Sequence, residues 1–223
     1  MHDVPVPRHR EVRAFEAEAL QPINAEITGL QYIGSYSWVK ASTPTIAVPG
    51  TPRRWVDKPL PITLKADDVA TFVDSNGHRA PSAPLLPLFL AVDATMNTSA
   101  SASATSTSTQ VEWPSIDVIT DRNGLRKLLG WTTGSSRRKE WRIDMQLVGT
   151  KTVLFNRREP STAVAPMPGG ATFGHAFEMK MTKPQAKGVG RELDGHHRIV
   201  RYDFGGLCMV VRFEVDAFIP ESS

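Results

Sequence analysis

Apolar and polar positions alternate most regularly near the end of the chain. There, residues 197–218 form two apolar runs around Gly205-Gly206. That pattern predicts a β-hairpin. Its second run closes on Phe213-Glu214-Val215-Asp216-Ala217. Side chains on a strand alternate, so Glu214 and Asp216 share a face. Two acids on one face of a mostly apolar strand call for a metal ion or a set of basic groups. A solvated strand face is the plainer alternative. Only a few residues follow, so the hairpin's second strand is expected to lie at an unpaired edge.

The same reading places the other elements. Ile27 to Val39 is rich in β-formers, with Gly34 marking a bulge. Thr45 to Val48 is a short strand closed by Pro49-Gly50. Ile116 to Ile119 is a strand. Asp121 is positioned to cap a helix over Arg122–Leu129 that Gly130 would end. Trp141 to Leu147 and Val153 to Phe155, joined at Val148-Gly149-Thr150, form a second hairpin with one wet face. Phe173 to Met181 is a helix with Phe173, Phe177 and Met181 in one row. Arg10 to Leu20 is a short helix, and Asp67 to Asp74 a helical turn. Residues 95–110 are almost purely Ser, Thr and Ala, a flexible surface insertion. The result is an α+β chain: a mixed, largely antiparallel sheet with short flanking helices. Residues 1–26 read as an N-terminal extension and 27–223 as one domain.

Composition narrows the function classes. The chain has 223 residues, enough for a real core, and a formal charge of +3. Basic residues cluster at Arg53-Arg54, Arg137-Arg138-Lys139 and Arg157-Arg158, which suits a polyanion such as RNA. Arg137, Arg138 and Lys139 are the best candidates for RNA-backbone contacts, with a solvated turn as the alternative. The single cysteine, Cys208, excludes an internal disulfide framework and a cysteine-based zinc cluster. It is most simply a core residue. The first residues lack the apolar centre of a signal peptide, and no run is long enough to span a membrane. A soluble protein of nucleus or cytoplasm is expected. Phosphate-binding loops and dinucleotide fingerprints are absent. His196 and His197 are adjacent, so on a strand they face opposite ways.

Three stretches carry possible chemistry: Arg122 in Arg-Asn-Gly-Leu-Arg-Lys-Leu-Leu, the acid of Gly174-His-Ala-Phe-Glu178, and Glu214-Val-Asp216. Carboxylates suit a hard cation, and a guanidinium suits a phosphate. In this order and spacing the set resembles the DXO-type decapping exoribonuclease family, whose core is similar to the PD-(D/E)XK nucleases. That family has an arginine before a short helix, then Gly-Φ-X-Φ-Glu, Glu-Φ-Asp and Glu-Φ-Lys motifs. Tyr32-Ile-Gly-Ser-Tyr-Ser-Trp38 and Pro44-Thr-Ile-Ala-Val-Pro-Gly50 resemble the opening strands of its fungal branch.

The resemblance implies a metal-dependent hydrolase of RNA 5′ ends using Mg²⁺ or Mn²⁺. Glu178 and Asp216 would be direct metal ligands. Glu214 would serve a second metal or act through water, and Arg122 would contact the scissile phosphate. RNA 5′ ends and a 5′–3′ exoribonuclease are the implied partners. No Glu-Φ-Lys follows Asp216 in this sequence. The resemblance therefore implies an incomplete or inactive hydrolase, or a non-catalytic relative that binds RNA or a protein.

Overall fold

The computed structural model describes residues 25–68, 71–102, 111–133, 141–165, 172–185 and 192–220. In chain order these hold β1 (Ile27–Val39), β2 (Ile46–Ala47), β3 (Arg53–Trp55) and β4 (Thr71–Phe72). Next come helices α1 (Ser75–Arg79) and α2 (Leu86–Ala102). After a 3₁₀ turn at Trp113–Ser115 follow β5 (Val118–Asp121), α3 (Arg122–Thr132), β6 (Arg142–Val148), β7 (Thr152–Arg158) and β8 (Ala163–Val164). The rest is α4 (Gly174–Met181), β9 (Thr182–Lys183), β10 (Leu193–Phe204), β11 (Leu207–Val215) and β12 (Ala217–Phe218).

A seven-stranded sheet in the order β2-β1-β10-β11-β5-β7-β6 is the frame. It is antiparallel at both sides and parallel where β11, β5 and β7 meet. The expected α+β architecture is therefore the observed one. The β10–β11 turn uses Gly205 and Gly206, both at positive φ, as a tight two-residue hairpin demands. The longest strand, β1, slips register near Gly34, where a bulge was expected.

Alternation sorts the core onto two faces. Tyr36, Ile199 and Val210 pack with Leu88, Ala91 and Val92 of α2. Gly34 permits that approach: a Cβ there would lie 3.4 Å from the Thr95 hydroxyl and 3.5 Å from the Ala91 carbonyl. Val118, Met209 and Val211 face the other way and take Leu125 of α3 and Phe155. Cys208 sits in the α2-side core, as expected of it.

Four expectations change. β11 is no edge strand, because Met209–Arg212 pairs with β5 in parallel. Backbone pairing from an earlier part of the chain supplies the neighbour that sequence order hides. Helix α3 runs past Gly130, which is buried inside it, and ends where the Thr132 and Thr133 hydroxyls bond back to the Leu129 carbonyl. Residues 95–102 are helical in α2 rather than an irregular insertion. Thr95 and Thr98 satisfy their hydroxyls on carbonyls four residues back, so the polar run continues the helix that Leu88–Val92 anchors. Residues 71–74 hold β4 and the cap of α1 in place of a helical turn: β4 pairs with β8, and the Asp74 carboxylate accepts from Gly77 N at 2.8 Å. The helix expected over 10–20 and residues 103–110 lie outside the described residues.

Candidate active site

A second, three-stranded sheet builds the site. Its order is β12-β3-β9. Ala217, directly after Asp216, pairs with Arg53, and Trp55 pairs with Thr182 at the end of α4. The end of β11 is thereby clamped to helix α4. Glu178 from α4 and Glu214 and Asp216 from the β11 end line one cavity of about 490 Å³. That size suits a nucleotide-sized ligand. Asp67, far away in sequence, caps α4 by accepting from Ala176 N at 2.7 Å and His175 N at 3.4 Å.

Two of the acids, Glu178 and Glu214, are raised. Desolvation by the surrounding protein, then the charge of Asp216, pushes the Glu178 carboxyl above its usual range. Glu214 rises to about 7. Desolvation comes first, then repulsion from Asp216, Glu178 and Asp194, while Arg122 pulls the other way. Glu214 is nevertheless exposed along the cavity. As oxygen donors the three suit a hard divalent cation, and their repulsion is what a cation would relieve. As the side chains stand, however, no three His, Cys, Asp or Glu groups among the described residues converge closely enough to hold one.

Arg122 sits across Glu214 from the main cavity. It lines a small adjoining space of about 30 Å³ that Glu214 also borders. Its guanidinium lies 5.8 Å from the Phe213 ring centroid. The 137–139 basic cluster lies outside the described residues.

Behind the cavity lies a buried polar network that the sequence reading missed. Arg212 is fully buried and donates to both Asp121 carboxylate oxygens, at 2.7 and 3.0 Å. It also donates to the Tyr36 hydroxyl and the Pro84 carbonyl. Asp121 therefore serves Arg212 and gives α3 no side-chain cap. Tyr36 donates to Asn76 Oδ1, as does Trp38 Nε1, and Asn76 Nδ2 lies 3.1 Å from His197 Nε2. The His197 ring stacks on Tyr36 at 4.8 Å. Burial first, then nearby Arg212, holds His197 neutral. His196 faces the other way, 3.0 Å from the Ser37 hydroxyl, and burial lowers it to about 4. A signal existed: 208, 210, 212 and 214 share a strand face, so Arg212 had to point into the core.

A family described as "Domain of unknown function (DUF8563)" matches residues 12–223. The chain belongs to that family. No curated protein matches it. Among solved structures it is similar to the crystal structure of S. pombe Rai1, with a TM-score of 0.56 at 12% identity. The match covers 92% of this chain and 57% of that one. The likeness establishes a distant DXO-like fold.

Proposed function

We propose that the protein acts on RNA 5′ ends as a DXO-type, metal-assisted hydrolase. One observation carries the reading: Glu178 comes from α4 and Glu214 and Asp216 from the β11 end, yet all three meet in a single cavity, where desolvation and the neighbouring acids destabilise the charged forms of Glu178 and Glu214. A divalent Mg²⁺ or Mn²⁺ bound there would supply charge neutralisation and an activated water. The chain's own part is to hold the acids on α4 and the β11 end, and to offer Arg122 beside Glu214 as a phosphate contact. Arg137, Arg138 and Lys139 are proposed to track the RNA backbone. A 5′–3′ exoribonuclease is the partner protein this reading puts first.

Incubating the protein with 5′-triphosphorylated and capped RNA in Mg²⁺ or Mn²⁺ tests the reading. Product should form, and Glu178→Gln and Asp216→Asn should each lower turnover by ~100-fold or more without lowering the melting temperature. No product under either metal would sink the hydrolase.

A second reading has its own support, because no three ligands converge among the described residues. It is a non-catalytic domain that binds RNA. RNA binding unchanged by EDTA, with no turnover, is its signature.

A further inference from the structure

The cavity that holds the acids also holds one arginine to which no role has been given. Arg53 lines it beside Glu178 and Asp216. Its place is fixed twice. The backbone is in β3, between β12 and β9. The side chain donates from Nε to the Thr182 hydroxyl at 2.5 Å and from Nη2 to the Thr182 carbonyl at 3.4 Å. Thr182 in turn donates its hydroxyl to the Glu178 carbonyl at 2.7 Å. A chain of hydrogen bonds thus runs from the last turns of α4 to the guanidinium. Arg53 and Glu178 are held in one arrangement.

The bland reading makes Arg53 a counter-charge for the acids. The geometry argues against it. Arg79, Arg157 and Arg212 each make an ion pair within 4 Å, with Asp194, Glu159 and Asp121 respectively. Among the described residues Arg53 makes none, although five carboxylates line the same cavity. It lowers Glu178 and Glu192 only at longer range, behind desolvation, Asp216 and His175 for the first and behind Lys40 and desolvation for the second. An arginine braced through a neutral threonine, half-buried and lining an open cavity, keeps its charge for something that enters.

We propose that Arg53 binds the terminal phosphate of an RNA 5′ end in this cavity, which makes it a specificity-determining residue. The inference rests on the RNA 5′-end reading above. A terminal phosphomonoester carries more charge than an internal diester and offers three acceptor oxygens. A fixed guanidinium therefore favours the phosphorylated end over a hydroxyl end.

The test measures binding rather than turnover. Two fluorescent phosphorothioate oligoribonucleotides of one sequence, with 5′-phosphate and 5′-hydroxyl ends, are titrated with the full chain in Mg²⁺. The wild type should prefer the phosphorylated end. Arg53→Gln should weaken the phosphorylated RNA by about 10- to 100-fold, the loss of one charge-assisted hydrogen bond, and leave the hydroxyl RNA unchanged. Arg53→Lys keeps the charge but not the fork to Thr182, and should retain part of the preference. Where thermal melting finds Arg53→Gln unfolded, Arg53→Lys decides the matter by whether the preference shrinks. Equal weakening of both RNAs, or no change in preference, overturns the role of Arg53 and leaves the RNA reading standing. Absence of binding by the wild type to either RNA overturns both.

Discussion

Arg212 and Glu214 sit two residues apart on one face of one strand, and their surroundings could hardly differ more. Arg212 is wholly buried and answered by a carboxylate, a phenol and a carbonyl. Glu214 is answered mostly by other acids, with Arg122 the opposing influence. The difference comes from what each neighbour strand supplies. β5 reaches as far as Arg212, where Asp121 pairs with it in register, and goes no further. Past that point β11 stays paired with β10 as far as Val215 but has no β5 partner on its other side, and β12 joins the small sheet. The strand is structural up to Arg212 and available for chemistry after it. Charge that is neutralised fixes the fold, and charge left unneutralised at a cavity is the kind a ligand can use.

The largest expected effect comes from unbalancing the satisfied end. Asp121→Ala leaves the Arg212 guanidinium buried without its carboxylate, which costs about 3–5 kcal/mol. A drop in melting temperature on the order of 10 °C should follow. Replacing the pair together, Asp121→Leu with Arg212→Met, should recover most of that loss, since a buried pair is often matched by apolar groups of similar volume. If the single change melts like the wild type, the two ends of the strand do not differ as argued.

The unsatisfied end should respond in the opposite sense, and with pH. Raising the Glu214 carboxyl to about 7 favours the protonated form in the fold. The unfolded chain ionises first, near the ordinary range of a glutamate. Stability is thus fully present below that range and is lost as pH rises toward 7. Glu214→Gln should remove the loss. In EDTA it should melt about 2–4 °C higher than the wild type at pH 8, a value discounted for the side chain's exposure, and show no gain at pH 4. His196 and His197 slope the other way, because lowered histidines lose stability as pH falls below their ordinary range. The comparison between variant and wild type cancels their contribution. Equal melting at pH 8 would mean that Glu214 is not destabilised by its acidic neighbours.

How much of this was legible follows the same division. The 13-residue β1, the Gly205-Gly206 hairpin and the β6–β7 hairpin were readable from alternation and turn chemistry, because each is local. Glu178, Glu214 and Asp216 could be nominated by motif order, and the cavity holds all three. What failed to show was everything created by pairing across distance. The β5–β11 contact turned a supposed edge into the interior of the sheet. The small sheet that clamps α4 rests on strands of two or three residues with no pattern of their own. Gly130 reads as a helix stop, yet it stays helical because the threonines beyond it supply the cap. Asn76 looks like an ordinary turn residue and instead joins Tyr36, Trp38 and His197.

Asp67 supplies the smallest expected effect and the finest test of how the open end is held. Its carboxyl lies below the usual carboxylate range: desolvation raises it, but the Ala176 amide, Thr172 and the His175 amide outweigh that. The acid therefore steadies the first turn of α4 from outside the helix. Asp67→Ala should lower the melting temperature by less than the Glu214→Gln change alters it at pH 8, because the group is exposed and its bonds are contested by water. The local effect should be clearer than the global one. Amide exchange at Ala176 should speed up, while Val210 and Val211 in the large sheet keep their protection. If the cap also sets where Glu178 stands, the Glu178 carboxyl should move back toward its ordinary value, since a frayed α4 relaxes its burial and its repulsion by Asp216. Carboxyl titration by NMR reads this directly. An unchanged Glu178 titration alongside faster Ala176 exchange would mean that β9 and Thr182, rather than the Asp67 cap, hold Glu178 in the cavity.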